Sequence, residues 1–538
     1  MSSKAHLNQA IASHLIEMKA EDKPDQEILI FENGDYAHDI LTYKDLYENS
    51  NKVARLLLDS GVTKGDTYAV FMRNHPEFVY SMLAGPVIGA IMVPIDPRSR
   101  GDRLRFLLDN SNAKAVFVSG ELLPQLTQVI SRLPNIKLVS AIYRPEHDVS
   151  VSSDYPSMNE ILEKDSWDTV SQQIMDVRHP MQIIYTSGTT GDPKGVMIRN
   201  NRFGLYNIAT KLVWKYKPND ILYSGLSLTH GNAQAVTLFP SLSTGVKAVF
   251  SARFTKSGIW DICRKYGCTS FSLLGGMMAG IYNQEEKEND KDNPVQTVIS
   301  AGTPASIWKD FERRFDVKIL EWYAAVEGGF AYKPPGRGPI GSFGKPLPGM
   351  MEFRIVDEND EQVPDGDTGE LIIKMTRGET KVDYHDLPDA SEKKTRGGWL
   401  RTGDLVRKDA EGWYYFVCRK GSELRRAGDF IQPDHIEKVI GEHPDVSEVC
   451  VYGIPSASGA PGESDLVAAI APVPGRSIDP KIIYEKCKTD IESNFIPSYL
   501  QIVDEIPKTI SEKALDRVLR GQFKTDGENV YKFDDYRS

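Results

Sequence analysis

The chain has 538 residues, enough for roughly three to four folding units and for a core that needs no disulfide or metal staple. With 40% hydrophobic and 26% charged residues, 43 glycines and 31 prolines, it is neither collagen-like, nor disordered, nor a coiled coil. Its 64 basic and 75 acidic residues give a net charge of −11, which disfavours a nucleic-acid surface; any phosphate is expected to be held locally, by backbone and a few side chains.

The first residues lack the apolar core of a signal peptide and read as a short polar helix. A helix over 43–59, strand 68–72, helix 76–84, strand 91–95, helix 103–110 and strand 115–118 then alternate, as in parallel sheets with helices on their faces. The apolar run 78–95 approaches membrane-spanning length, but Gly85, Pro86 and Gly89 divide it into a buried helix and a buried strand. A second series follows: strand 181–185, helix 202–214, strand 247–250, helix 256–266, strands 270–273 and 295–301, helix 307–315 and strand 318–322. Residues 283–293 form a charged, solvated loop, and there is no internal repeat. From about residue 334, short alternating runs between Gly, Pro and Asp turns predict an antiparallel β region, and after 422 a compact α+β tail follows. The expected class is therefore α/β: a large N-terminal domain of stacked sheets over 1–421, with a small β region over about 334–421, and a small α+β domain over 422–538.

Five cysteines are scattered without Cys-x-x-Cys or zinc-site spacing and read as reduced thiols. The last residues are not a peroxisomal tripeptide, so the cytoplasm is the expected compartment, with no transmembrane segment.

The strongest chemical signal is YTSGTTGDPKG at 185–195. A strand enters it and a helix is expected soon after, which puts the loop where α/β folds bind ligands. Gly188, Gly191 and Gly195 let the backbone turn tightly and point N–H groups at an anion; Thr186, Ser187, Thr189 and Thr190 add hydroxyls, and Lys194 adds one cation. It is not a Walker A loop, since Lys194 follows Pro193 and precedes Gly195. Any one of these small residues is most often plain surface loop; the combination implies a phosphate cradle.

That loop resembles the phosphate loop of the acyl-adenylate-forming superfamily of acyl-CoA synthetases, adenylation domains and luciferase. Further motifs follow in the family's order over residues 30 to 520. YAAVE (323–327) is similar to Tyr-Gly-x-Thr-Glu, SAGTP (300–304) to the adenine loop, and GWLRTGD (398–404) to the ribose motif. Arg419 with 424–433 resembles the hinge motif, and Lys513 the catalytic lysine. LTHGNAQ (228–234) and the tail PSYLQIVDEIPKTISEK most resemble crotonobetaine/carnitine-CoA ligases.

The resemblance implies a carboxylic acid, ATP and coenzyme A as substrates and Mg²⁺ as cofactor. The barrier is electrostatic, because a carboxylate must approach a triphosphate; positioned donors and a metal matter more than a general base. The implied nucleotide site comprises the phosphate loop, Ala301, Gly302, Thr303, Trp322, Tyr323 stacking on adenine, Asp404 on the ribose hydroxyls, Arg419 and Lys513. Glu327 and Thr186 are the implied magnesium ligands, and Lys513, Glu327 and Thr186 the catalytic set. His230, Asn232, Gln234, Gly275, Gly276, Met277, Met278, Ala324 and Ala325 would flank the acyl group, although Met277 and Met278 equally suit core packing. For His230 a satisfied structural role is as good a reading as a pocket gate. The C-terminal domain is implied to be a mobile lid that delivers Lys513 and then swings, exposing the face of Gly428 to coenzyme A.

Four departures stand out. Val326 replaces a threonine whose hydroxyl would reach the α-phosphate, a loss on the order of 1.5–3 kcal/mol. Glu512 replaces glycine beside Lys513, Ser422 sits at the hinge position, and Trp322 replaces a smaller residue. Loading of a carrier protein and an impaired nucleotide-binding scaffold are the rival readings, and a homodimer stays open.

Overall fold

The computed structural model describes residues 10–34, 38–144, 155–186, 193–420, 424–426, 429–431, 433–455, 464–491, 495–509 and 514–536. The chain divides into two units: Met1–Arg354, Ile372–Thr402 and Asp409–Tyr415 form the first, and Ile355–Leu371, Gly403–Lys408 and Phe416–Ser538 the second.

The first unit carries β1 (Glu27–Glu32), β2 (His38–Thr42), β3 (Thr67–Phe71), β4 (Ile91–Pro94), β5 (Ala115–Ser119), β6 (Leu138–Ile142), β7 (Pro180–Thr186) and β8 (Lys194–Arg199). It continues with β9 (Ile221–Ser224), β10 (Lys247–Ser251), β11 (Ser270–Leu274), β12 (Thr297–Ala301), β13 (Lys318–Ala325), β14 (Gly328–Lys333) and β15 (Lys345–Pro346). One sheet has the order β6-β5-β3-β4-β7-β8, the other β15-β14-β13-β12-β11-β9-β10-β1-β2. Both are parallel at their centres, as the alternation predicts, and antiparallel only at edges such as β7–β8, β13–β14 and β1–β2. Strands β3 and β5 are buried along their whole length, because helices cover both faces of a parallel sheet. On one face, Ala69, Phe71, Val93, Val116 and Val118 pack against Leu104, Leu107, Leu126 and Val129.

The helix Tyr43–Asp59 has the expected bounds, because Thr42 and Asp45 close a capping box at its start. The apolar run 78–95 is helix then strand, as expected, but the helix extends from Pro76 to Ile88, through Gly85 and Pro86. Beside the proline the Tyr68 hydroxyl donates to the carbonyl of Ser81 at 2.6 Å. Glycine is required there, since a Cβ at 85 would lie 2.6 Å from that hydroxyl; the helix ends instead at Gly89, at φ +77°. Among the described residues no helix is long and apolar enough to cross a membrane.

After Met351 come β16 (Met351–Val356), β17 (Gly369–Met375), β18 (Leu400–Lys408) and β19 (Tyr414–Arg419). The second unit continues with β20 (Leu424–Arg426) paired antiparallel to β21 (Asp429–Ile431). Its four-stranded sheet joins β22 (Val446–Pro455), β23 (Ser464–Pro472), β24 (Tyr499–Ile502) and β25 (Val530–Lys532) in that order. Alternate residues feed two cores: Val451, Leu466, Ala468 and Ile470 meet Ile436, Ile483 and Tyr484, while Cys450, Tyr452, Val467 and Ala469 meet Leu519. All five cysteines are free thiols; Cys263, Cys268, Cys450 and Cys487 are buried, and Cys418 on β19 is half-exposed.

Candidate functional site

The phosphate loop leaves β7 at the carboxyl end of a strand parallel to β4, where sequence reasoning put it. Its exit differs from expectation. The chain returns as β8, antiparallel to β7 with Thr186 opposite Lys194, and only then enters the helix Asn201–Ala209. Gly195 is needed in this hairpin, because a Cβ would lie 2.6 Å from Ile183 Cγ2. Ser187, Gly188, Thr189, Thr190 and Gly191 lie outside the described residues, as do Lys513, Glu512, Ser422 and Gly428.

Lys194 is exposed, and its ammonium stands 5.5 Å from the ring centroid of Tyr384. The hydroxyl of that tyrosine donates to Glu327 Oε1 at 3.0 Å. Glu327 occupies the β13–β14 turn, half-buried, and the neighbouring Val326 carbonyl accepts from Arg202 Nη2 at 3.3 Å. An implied phosphate-binding cation and an implied magnesium ligand, from different sheets, therefore meet on one buried ring.

Of the adenine-loop candidates, Ala301 ends β12 and Gly302 and Thr303 follow it. Gly302 has φ +81°, and the turn is clamped by Glu321 of β13. Glu321 Oε1 accepts from the Gly302 N–H at 2.7 Å and the Thr303 N–H at 3.2 Å, while the Thr303 hydroxyl donates to Oε2. Burial holds the Glu321 carboxyl up at about 7, opposed by these hydrogen bonds and by Lys333. In the folded chain this group keeps a proton above its ordinary titration range. Its contribution to stability is full below about pH 4.5 and is lost as pH rises through about 7, at up to about 1.4 kcal/mol per pH unit. Glu321→Gln is expected to flatten that slope in denaturation curves from pH 5 to 8 and to cost about 1–3 kcal/mol, because the amide leaves one donor of the loop unmatched. An unchanged slope would show that Glu321 does not titrate there. The signal for this residue was in the sequence: a lone carboxylate inside the otherwise apolar run ILEWYAA.

Along β13 alternate residues face opposite ways. Tyr323 stacks on Phe343 with centroids 4.7 Å apart. Trp322, expected at the nucleotide, buries its ring on the other face with Trp214, Val236, Leu320 and Leu347, so its side chain is committed to core. Trp214, Trp322 and Phe330 have centroids 5.4 to 5.8 Å apart, in mutual contact.

Of the acyl-pocket candidates, Ala324 and Gly276 are exposed, Ala325 is half-buried, and Met277 and Met278 are core. Gly275 opens the helix Gly275–Tyr282 so close to the adenine loop that a Cβ would stand 1.9 Å from the Gly302 carbonyl oxygen. His230 Nδ1 accepts from the Asn232 N–H at 3.1 Å, which assigns the proton of the neutral ring to Nε2. Desolvation pushes its pKa down to about 4, so the ring is uncharged at neutral pH although it keeps some solvent access. Asn232 is buried with both amide atoms unpartnered among the described residues. Gln234 is instead taken up by structure: its amide meets Gln182 and donates to the Leu228 carbonyl at 2.8 Å. A buried amide requires such partners.

In the second unit Asp404 lies within β18, buried, with Arg419 Nε at 3.5 Å from its Oδ1. It caps no helix. Gly403 before it has φ +77°, and its N–H donates to Glu370, which also pairs with Lys420.

Two family matches cover this chain: AMP-binding enzyme over residues 16–378 and AMP-binding enzyme C-terminal domain over 435–513. It is 26% identical over 504 residues to the crotonobetaine/carnitine–CoA ligase of Salmonella typhimurium, covering 92% of this chain and 96% of the relative. The Citrobacter koseri enzyme of the same name is 27% identical over 501 residues, covering 91% and 95%. Among solved structures, an anthranilate CoA ligase in complex with anthranoyl-AMP superposes with a TM-score of 0.81 at 22% identity, covering 96% of this chain and 97% of that one. A benzoate CoA ligase from Burkholderia xenovorans gives 0.80 at 21%, covering 95% and 99%. With one matched family spanning well over half of its length, the chain belongs to the AMP-binding enzyme family, as an adenylate-forming enzyme of the acyl-CoA synthetase type.

Proposed function

We propose that the chain is an ATP-dependent acid–CoA ligase that adenylates a carboxylic acid, releases pyrophosphate and passes the acyl group to coenzyme A. The observation that carries this reading is the meeting of Lys194 and Glu327 on Tyr384, which brings a cation from the phosphate-loop stem and an anion from the β13–β14 turn to one place. Lys194 would bind the outer phosphates, Tyr323 would stack on adenine, and Asp404, with Arg419 beside it, would hold the ribose hydroxyls. Lys513 would bridge the acid and the α-phosphate, cancelling charge as it develops.

Glu327 suits a magnesium ion. One oxygen is held by Tyr384, the other has no hydrogen bond among the described residues, and Mg²⁺ takes one or two carboxylates together with substrate phosphates. Bound by Glu327 and Thr186, it would offset the triphosphate charge. Residues 422–538 would act as a lid, turning near Ser422 between the two half-reactions.

The relatives that act on crotonobetaine or carnitine suggest a betaine. ATP–pyrophosphate exchange with Mg²⁺ and a panel of aliphatic, aromatic, polycyclic and betaine acids tests the reading, followed by coenzyme A to look for AMP and thioester. Exchange with at least one acid and a coenzyme-A-dependent thioester are expected. ATP binding without exchange would favour a scaffold, and exchange without thioester a carrier-loading enzyme.

A further inference from the structure

The segment Val382–His385 is laid against β8 as an extra strand. The Met197 N–H donates to the Asp383 carbonyl at 2.8 Å, the His385 N–H to the Gly195 carbonyl at 2.8 Å, and Arg199 pairs with Asp383. Tyr384, bridged to Val196, is buried at 5% exposure, and its own N–H donates to Ser391 Oγ at 2.8 Å. Its backbone thus belongs to the phosphate-loop hairpin at the edge of the six-stranded sheet. Its hydroxyl reaches Glu327 at the edge of the nine-stranded sheet, 57 residues earlier in the chain.

We propose that Tyr384 is a positioning residue: a strut between the two sheets whose hydroxyl fixes the Glu327 carboxylate relative to Lys194, so that the metal-bound form of the nucleotide is preferred over the free form. This rests on the assignment of Glu327 to magnesium given above. The ring supports Lys194 and fills the core; the hydroxyl holds Glu327, by donating to one carboxylate oxygen at 3.0 Å. Removing only the oxygen separates the two roles.

Isothermal titration of Tyr384→Phe with ATP in the presence and absence of Mg²⁺ tests this, alongside the melting temperature. The expected result is about tenfold weaker binding of Mg·ATP, with Mg-free ATP binding and melting temperature nearly unchanged. On a Glu327→Gln background, adding Tyr384→Phe should cost nothing further, because both substitutions remove the same oriented carboxylate. Equal weakening with and without Mg²⁺, additive losses in the double variant, or Mg·ATP binding as in the parent would each overturn the assignment. Because binding is read without turnover, a parent protein that binds Mg·ATP yet exchanges with no acid would fail the ligase reading and leave this test decisive.

Discussion

Lys513→Ala is expected to lower ATP–pyrophosphate exchange by about a hundredfold or more, the usual scale for removing one preorganised charge from a phosphoryl-transfer site. Thioester formation from a chemically prepared acyl-adenylate should survive, because the approach of the carboxylate to the α-phosphate, which Lys513 would assist, is already complete in that compound. Measuring both half-reactions on one preparation provides an internal control for folding. Equal damage to both steps would refute a lysine that serves adenylation alone. Glu512, which stands beside it in place of the family's glycine, gives a second lever: Glu512→Gly should not lower the exchange rate if the glutamate merely reshapes the loop.

The second large effect is expected at Gly275. An added methyl would meet the Gly302 carbonyl oxygen at 1.9 Å, far inside contact distance, and the obstacle is backbone that no rotamer change can move. Neither side can retreat freely. The helix Gly275–Tyr282 is anchored by buried Met277 and Met278, and the Gly302 turn by its bonds to Glu321. Gly275→Ala should therefore destabilise by about 3 kcal/mol, at the upper end of ordinary overpacking, and should displace the turn on which adenine recognition is proposed to rest. A melting temperature several degrees lower and a KM for ATP raised at least about tenfold are the expected readouts. Gly280→Ala, in the same helix, where a Cβ would lie at an ordinary 3.7 Å from Lys256 Cδ, is the control and should be tolerated. A silent Gly275→Ala would mean that the two segments stand further apart than described.

Much of this architecture was legible because it is written locally. The helix Tyr43–Asp59 carries its own capping box, and strands such as β3 and β5 are short apolar runs that only a covered parallel sheet can bury. The helix beginning at Pro76 was cut short on paper, since a proline normally ends a helix, and its neighbour Tyr68, which bonds the Ser81 carbonyl, comes from a separate strand. The exit of the phosphate loop was misjudged for a similar reason. Lys194–Arg199 becomes a strand by pairing with β7 and with residues near Tyr384, and no nearby sequence announces the latter. Candidate site residues are those that a motif names, as with Glu327 and Asp404. No motif names those that hold them. Tyr384 acts across a separation of 57 residues and Glu321 across 18, and Trp322 shows that adjacency in a motif does not decide which face of a strand a ring takes.

The distribution of the thiols has a practical consequence. Burial pushes Cys450 and Cys487 up to about 12 and Cys263 well above the ordinary thiol range, so these sulfurs stay protonated and shielded, while Cys418 is the thiol with solvent access. A maleimide dye should attach to the native protein at Cys418 alone, next to Arg419. Its emission would then offer an optical report on nucleotide arrival at the ribose-binding candidates, with no engineered cysteine needed.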